Sequence, residues 1–515
     1  MSLFVQVRKD TYFDSIQVLV ATDSLYEADG IQNAKVAMAT DANKADFEAA
    51  GLMSQEVANA APGDLVIAAQ AESREAFERA LALVDEDGTD LSCEKRGQAY
   101  KTFDQAIAAH PEANICLISV PGEYAKMECE KALQAGLHIM LFSASVPPQD
   151  ELYIKELARE KGLLCMGPDC GVVNLNGIAF ILASINNRGP FGICGASGCG
   201  IQHVSALLHA NGSGITQGIG TGGGDLKAPV YGITMLMGID ALENDPQTKY
   251  IILVSRKPNE ISLQRVLNRI STCKKPVVVC FMGCDREPIE AAGGIYASSL
   301  DDAAVQAMKL IGGKVALMDD EEIDAMAAEA VAGMSNKQKY VRGLFDGGTY
   351  CDEAIGVLEG YAGKVHSNVA SSEELRLQDS MRSVENTCVD YGEEEFTQGR
   401  PHPTMWPAVR EEHICREGCH EDVAVLLFDF INTPAAPKDI LSGHILEIRK
   451  AMAWHQERGG KLAVVASICG TDADFQGLNE QKKALREAGV LVCPTNYTAA
   501  KLAGKIIALK NGGRA

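Results

Sequence analysis

The sequence has only two tryptophans, 6% aromatic residues overall and a shortage of basic charge. It also lacks any long uncharged apolar run: no stretch approaches the roughly 18 consecutive apolar residues that a membrane span needs, so a membrane-spanning protein is not expected. Lys and Arg number 47 against 69 Asp and Glu, a formal net charge of −22. Such a charge opposes nucleic acid and anionic membrane surfaces, and an anionic substrate must be captured by local groups rather than by the global field. The N-terminus, Met1 to Asp10, carries Arg8 and Lys9 but no apolar core of signal-peptide type. Sixteen cysteines are scattered without a Cys-x-x-Cys pair, many in apolar runs (Cys116, Cys165, Cys194, Cys280). This usage reads as reduced core thiols in a cytoplasmic protein. His413-x-Cys415-x-x-x-Cys419-His420 crowds its four candidate ligands into eight residues, a poor match to two-pair zinc spacing. One charged helix explains it, and no metal site is expected there.

What is present is alternation. Hydrophobic content is 46%, and apolar strand-like runs alternate with helical patterns along most of the 515 residues. That order predicts doubly wound parallel sheets of Rossmann or flavodoxin type. Strands are expected at 115–120, 138–142 and 163–166, with helices at 123–135 and 149–161. Asn186-Asn187-Arg188-Gly189-Pro190 is a turn cluster that suits a domain boundary. The reading gives three α/β units: 1–187, 188–320 and 321–515, the last with a polar insertion over 361–420. Residues 319–338, acidic and alanine-rich, read as a helical linker.

Phe191-Gly192-Ile193-Cys194 runs into Gly195-Ala196-Ser197-Gly198-Cys199-Gly200 and then into a helical stretch from Ile201 to Ala210. A glycine-rich turn at a helix start leaves backbone N–H groups facing outward at the positive end of the helix dipole, a setting for phosphate or carboxylate. The spacing is not Gly-x-Gly-x-x-Gly. Ile201 stands where a Walker A loop requires Lys, and Cys199 where a nucleophile elbow requires Gly. A turn needed only for tight strand–helix packing is the competing explanation. The same strand–glycine–helix order recurs at 340–358 through Asp346-Gly347-Gly348-Thr349. Cys199, at a helix start, is expected to have a lowered thiol pKa, or else to pack as a small residue under the loop.

Several segments together resemble the α subunit of succinyl-CoA synthetase, an acyl-CoA synthetase of the NDP-forming type. They are Val120-Pro121-Gly122, Ala135-Gly136-Leu137, Gly167-Pro168-Asp169-Cys170, Gly192 to Gly198, Gly222-Gly223-Gly224-Asp225 and Lys275-Pro276-Val277-Val278. Residues 340–515 resemble the carboxy-terminal domain of the β subunit. The combination is similar to the FdrA family, including Ala42-Asn43-Lys44, Gly167-Pro168-Asp169-Cys170-Gly171 and Gly399-Arg400-Pro401-His402-Pro403. Members of that family are associated with oxamate carbamoyltransferase of allantoin and oxalurate breakdown, working with other subunits.

The resemblance breaks at two points. Nothing in the sequence resembles the β subunit's ATP-grasp domain. The synthetases carry a phosphorylated histidine in a Gly-His-Ala-Gly loop; the corresponding segment here is Met282-Gly283-Cys284-Asp285-Arg286-Glu287 and on to Tyr296, without histidine. The resemblance implies that Ser197, Gly198, Cys199 and Gly200 face Gly347, Gly348 and Thr349 and hold a phosphorylated small substrate such as acetyl or carbamoyl phosphate. Gly223, Gly224, Asp225, Pro121 and Asp169 are expected to contact the rest of the substrate, although Asp225 equally suits a helix cap. Arg286, Arg400 and His402 are the candidate catalytic clamps, since a guanidinium matches planar anions at two points. The stretch matching the CoA-phosphate loop, Lys9 to Ser15, has no glycine, which puts CoA in doubt as a cofactor; Lys9 and Thr11 are its phosphate-binding candidates, and a solvated turn explains the stretch equally. Mg²⁺ is compatible with a phosphate substrate.

The expected function is that of a carbamoyltransferase subunit with protein partners in an oligomer. The alternatives are an NDP-forming synthetase subunit and a regulatory or assembly subunit.

Overall fold

A computed structural model describes residues 2–9, 11, 13, 18, 21–22, 24–26, 28–90, 100–397 and 400–513. The chain divides into two compact units, Met1–Pro111 with Glu393–His402, and Glu112–Gly392 with Pro403–Ala515.

The first unit contains β1 (Ser2–Arg8), β2 (Ile31–Met38) and β3 (Leu65–Ala71), in the order β1-β3-β2. Both pairings are antiparallel. The central strand, Leu65-Val66-Ile67-Ala68-Ala69, is apolar on both faces because helices cover both. Leu65, Ile67 and Ala69 meet Phe77, Ala80 and Val84 of the helix Arg74–Asp90. Val66 and Ala68 meet Phe47, Leu52 and Val57 on the opposite side. The sequence reading ran one Rossmann-like unit over 1–187. The structure instead puts this antiparallel sheet before the first parallel strand at Ile115, because double-sided burial erases the alternation that marks an antiparallel strand.

The second unit is built from parallel sheets. β4 (Ile115–Ile118), β5 (His138–Leu141) and β6 (Cys165–Met166) form a three-stranded sheet. A seven-stranded sheet follows from β7 (Val172–Leu175), β8 (Ile178–Ile181), β9 (Arg188–Gly195), β10 (Ile215–Gly220), β11 (Tyr250–Ser255), β12 (Val277–Phe281) and β13 (Ile295–Tyr296), ordered β13-β12-β11-β9-β10-β7-β8. The hairpin β7–β8 joins this sheet antiparallel to β10, so the sheet begins upstream of the turn cluster at 186–190.

The third parallel sheet comprises β14 (Tyr340–Phe345), β15 (His366–Ser367), β16 (Thr387–Asp390), β17 (Val423–Ile431), β18 (Ala463–Cys469) and β19 (Leu491–Cys493), in the order β15-β16-β14-β17-β18-β19. β15 and β16 lie inside the stretch expected to be an insertion. Two- and four-residue strands are too short to show a period, and only the pairing of β16 with β14 and of β15 with β16 reveals them. The acidic helix Asp320–Val331 is capped by an Asp319/Glu322 box. It is docked rather than a free linker, with Ile323, Ala327 and Ala330 in the apolar cluster that runs through the helices of both larger sheets.

Candidate functional site

β9 ends at Gly195 and the helix Gly198–Ala210 begins three residues later. Ser197, extended at φ −119° and ψ 109°, caps that helix by accepting the Gly200 amide at 2.9 Å. A Cβ on Gly195 would lie 2.6 Å from the Val254 carbonyl, and one on Gly200 2.6 Å from a Val254 methyl. Packing against β11 therefore accounts for these two glycines. It does not account for Gly198, whose nearest neighbour would be a Val172 methyl at 3.2 Å.

The second turn repeats the first. Gly347 adopts φ −109° and ψ 113° before the helix Gly348–Ala362, close to the dihedrals of Ser197. Its missing side chain admits the Cys199 sulfur, which would lie 2.8 Å from a Cβ there. The Ser197 and Thr349 hydroxyls share a hydrogen bond of 2.7 Å across the gap. Residues 197–200 and 347–349 thus form one locality, with two helix N-termini opposed.

Sequence reading missed the cation beside them. Arg256 follows β11 directly; its guanidinium and the Asp390 carboxylate occupy the space a Cβ on Gly348 would need. Arg256 Nε also pairs with Asp352 at 2.6 Å, and its side chain is 41% exposed. The signal available was its position, since the first residue after a parallel strand lies at the edge where α/β sheets bind ligands.

Behind the second turn lies a buried acidic group. The Asp429 carboxylate accepts the amides of Asp346 (2.8 Å) and Gly347 (2.9 Å), and the Arg410 guanidinium at 2.8 Å. Asp346 faces the other side of Arg410 at 3.1 Å. Burial, with Asp429 close by, holds the Asp346 carboxyl well above the usual carboxylate range. Arg410 Nε donates to His444 Nε2 at 3.0 Å. Burial and then the Arg410 charge push His444 down to about 4, leaving a neutral acceptor. The second terminus therefore offers an anion the amides that Asp429 does not take, those of Gly348 and Thr349. Cys199 differs from the sequence expectation: burial, then the charge of Asp429, hold its thiol well above the ordinary value. Its helix-start position is outweighed.

The other candidates are placed elsewhere. Asp225 is fully buried, caps the helix Ile233–Asn244 through the Thr234 and Met235 amides (3.0 and 2.9 Å), and takes Lys155 Nζ at 2.8 Å. Its carboxylate is thus a structural cap rather than a substrate group. The loops carrying the other four substrate candidates pack together. Gly222, before Gly223 and Gly224, lies against Pro168, and Pro121 opens the helix Gly122–Gln134 whose first residue abuts Ser145. Asp169 is exposed at φ 52°.

Arg286 pairs with Glu290 at 3.0 Å one helical turn on and stacks over Tyr296, with 57% of its side chain exposed. That is a surface ion pair, not an anion clamp. Arg400 pairs with Asp46, which also takes Lys35 at 3.1 Å. His402 is desolvated to a pKa of about 4. Arg400 and His402 belong to the first compact unit and Arg286 to the second. Lys9 and Thr11 are joined by a local hydrogen bond from the Thr11 hydroxyl to the Lys9 carbonyl; Asp10, Tyr12, Asp14 and Ser15 lie outside the described residues, as does Gly399.

Residues 344–506 match the CoA-ligase family model, and residues 1–103 match a model described as AllF, heavy metal-associated domain. YahF of Escherichia coli (strain K12) is 38% identical over 509 residues, spanning 98% of this chain and 99% of that protein. The succinate–CoA ligase [ADP-forming] subunit alpha 1 of Archaeoglobus fulgidus is 26% identical over 226 residues, 42% of this chain and 76% of the ligase subunit. A solved ATP citrate lyase from Methanothrix soehngenii aligns over 81% of this chain and 86% of its own at 13% identity, with a TM-score of 0.36; at that distance it carries no argument here. The CoA-ligase match and the succinate–CoA ligase relative define an acyl-CoA synthetase-like protein. More narrowly, the chain belongs to the FdrA family, together with YahF.

The metal implied by the N-terminal model's description does not fit this chain. Residues 1–103 contain no histidine and a single cysteine, Cys93, whereas soft metals select thiolate, imidazole or thioether donors, and no group of three or more His, Cys, Asp or Glu able to hold an ion occurs among the described residues.

Proposed function

We propose that this chain binds a small acyl phosphate at the opposed helix N-termini, and that the acyl phosphate is carbamoyl phosphate exchanged with oxamate in a multi-subunit assembly. The observation that carries the reading is the pairing of Ser197 and Thr349 across two N-terminal turns, with Arg256 at their edge. Backbone amides and two hydroxyls suit phosphoryl oxygens, and the guanidinium supplies the charge that an acidic molecule otherwise lacks. In the degradative direction, a phosphate oxygen attacks the carbamoyl carbon of oxalurate and the carbon–nitrogen bond to the oxamate moiety breaks. The leaving nitrogen takes a proton, giving carbamoyl phosphate and oxamate. The protein's contribution is to hold phosphate and polarise a carbonyl, which preorganised dipoles do without a side-chain nucleophile.

The second reading, an NDP-forming acyl-CoA synthetase subunit with an external nucleotide partner, is favoured by the alignment with succinate–CoA ligase α subunits and by the CoA-ligase match. Against it stands the loop Met282–Tyr296, which has no histidine. His203, the histidine nearest in sequence to the first turn, is buried with both ring nitrogens engaged.

Titration calorimetry with carbamoyl phosphate separates the readings. Wild type should bind, and Arg256→Ala should weaken binding at least tenfold; no heat with wild type would overturn the transfer reading. Labelled ATP with a nucleotide-binding partner should leave acid-labile phosphate on this chain only under the ligase reading. Oxalurate phosphorolysis that appears when partner subunits are added would support the transfer reading directly.

A further inference from the structure

Beneath the Ser197–Thr349 contact, a second polar connection joins the same two helices inside the apolar core. His203 lies in the helix that begins at Gly198, and Tyr350 in the helix that begins at Gly348. His203 Nδ1 meets the Tyr350 hydroxyl at 3.3 Å, and its Nε2 meets Asp301 at 2.7 Å. Asp301 is fixed in turn by the Thr495 hydroxyl at 2.7 Å. Asn496 donates to the Tyr350 carbonyl at 3.0 Å and to Glu353 at 2.9 Å. All of these side chains are buried, among Val204, Leu300, Ala304, Ala354 and Ala499 of one apolar cluster.

Apolar packing alone would hold the helices Gly198–Ala210, Gly348–Ala362, Leu300–Leu310 and Asn496–Lys510 together. It would leave their register free to slide by fractions of an ångström, because dispersion contacts have little directionality. A buried hydrogen-bond chain costs desolvation unless every member is placed, so it fixes one register. The register it fixes here is that of the two N-terminal turns.

We propose that His203, oriented by Asp301, is a positioning residue that sets the alignment of the two helix N-termini through Tyr350, and thereby the affinity of the site for a phosphorylated ligand. The proposal rests on the acyl-phosphate reading of that site. Nε2 shares its hydrogen bond with the Asp301 carboxylate, and Nδ1 shares its hydrogen bond with the tyrosine hydroxyl.

The test uses the full chain and carbamoyl phosphate as probe. Tyr350→Phe removes the hydroxyl and keeps the ring packing. It is expected to keep the thermal midpoint within about 3 °C of wild type while weakening carbamoyl phosphate binding at least fivefold by calorimetry. His203→Phe should weaken binding similarly or more, and His203→Gln, which offers a donor and an acceptor, should restore it to within about twofold. A role confined to stability would move the midpoint and leave the dissociation constant alone. Wild-type affinity in both Tyr350→Phe and His203→Phe therefore overturns the proposal. Amide hydrogen exchange separates this failure from failure of the acyl-phosphate reading, since it needs no ligand. Exchange at the hydrogen-bonded amides of Gly200, Ile201 and Cys351 should quicken at least tenfold in Tyr350→Phe; unchanged exchange at both turns sinks the alignment role even if no ligand binds.

Discussion

At the first glycine turn the amide of Gly200 is taken by an uncharged group, the Ser197 hydroxyl, and two of the glycines are there to let the turn lie against β11. At the second, with almost the same backbone dihedrals, the amides of Asp346 and Gly347 are taken by the Asp429 carboxylate, which Arg410 neutralises from behind. The first terminus keeps its dipole turned outward, whereas part of the second's is spent on a permanent internal anion. The comparison teaches that two helix N-termini with one sequence pattern need not be equivalent anion sites. It also gives the pair a polarity: a bound phosphoryl group is expected to lean on Gly198 and Cys199 amides and on Arg256, with Gly348 and Thr349 completing the contact.

That comparison is most severely tested by Arg410→Leu. Removing the fully buried cation leaves Asp346 and Asp429 without a counter-charge, and breaking such a buried pair typically costs about 3–5 kcal/mol. Urea unfolding should register a loss of this size; a loss below about 1 kcal/mol would mean that the second turn does not depend on an internal ion pair.

The next effect lies in the core shared by both turns. Burial raises Glu353 from 4.5 to about 7, against the opposing pull of His203. Burial lowers His203, but its hydrogen bond and charge interaction with Asp301 prevail and raise it. The folded state therefore holds a proton on Glu353 that the unfolded chain releases from about pH 4.5 upward, so stability falls as pH rises from there to about 7. His203 acts in the same direction above pH 6.5. Glu353→Gln should flatten the decline and make the variant more stable than wild type at pH 8, by up to about 3 kcal/mol. A thermal midpoint series from pH 5 to 8 checks the slope; parallel curves for variant and wild type would refute the assignment.

Smaller effects compare the turns position by position. Gly348→Ala pushes a methyl into Arg256 and Asp390 and should cost about 1–3 kcal/mol. Gly198→Ala meets only a Val172 methyl and should stay within about 1 kcal/mol of wild type. Equal costs would erase the distinction between the two helix starts. Ser197→Ala, which deletes the cap and the contact to Thr349, should cost about 1 kcal/mol, readable by chemical denaturation.

Much of the second unit was legible because parallel strands between helices read as apolar runs bounded by turns, as at 115–120, 138–142 and 191–194. The opposition of 197–200 and 347–349 was legible through a family resemblance rather than through spacing. What escaped had no local signal. Thr387–Asp390 is too short to show a period, and Leu65–Ala71 is buried on both faces. Asp429 sits in a nine-residue buried strand where its role depends on amides more than 80 positions away. Arg286 was misread for the opposite reason: a lone arginine in a loop looks the same in sequence whether it clamps a ligand or pairs one helical turn away with Glu290.

By itself the sequence determined the α/β character of the chain, the two glycine turns, the acidic balance and the loss of the loop histidine. Each is a property of composition or of a few adjacent residues. Only the tertiary structure decided that the first 111 residues hold an antiparallel sheet, that Asp225 is a cap, that Asp429 already occupies one helix start, that Arg256 lies beside Gly348 and that His203 bonds Tyr350 across the two helices. These are outcomes of long-range packing, in which burial and distant partners, rather than neighbours along the chain, set what a charged or polar group is able to do.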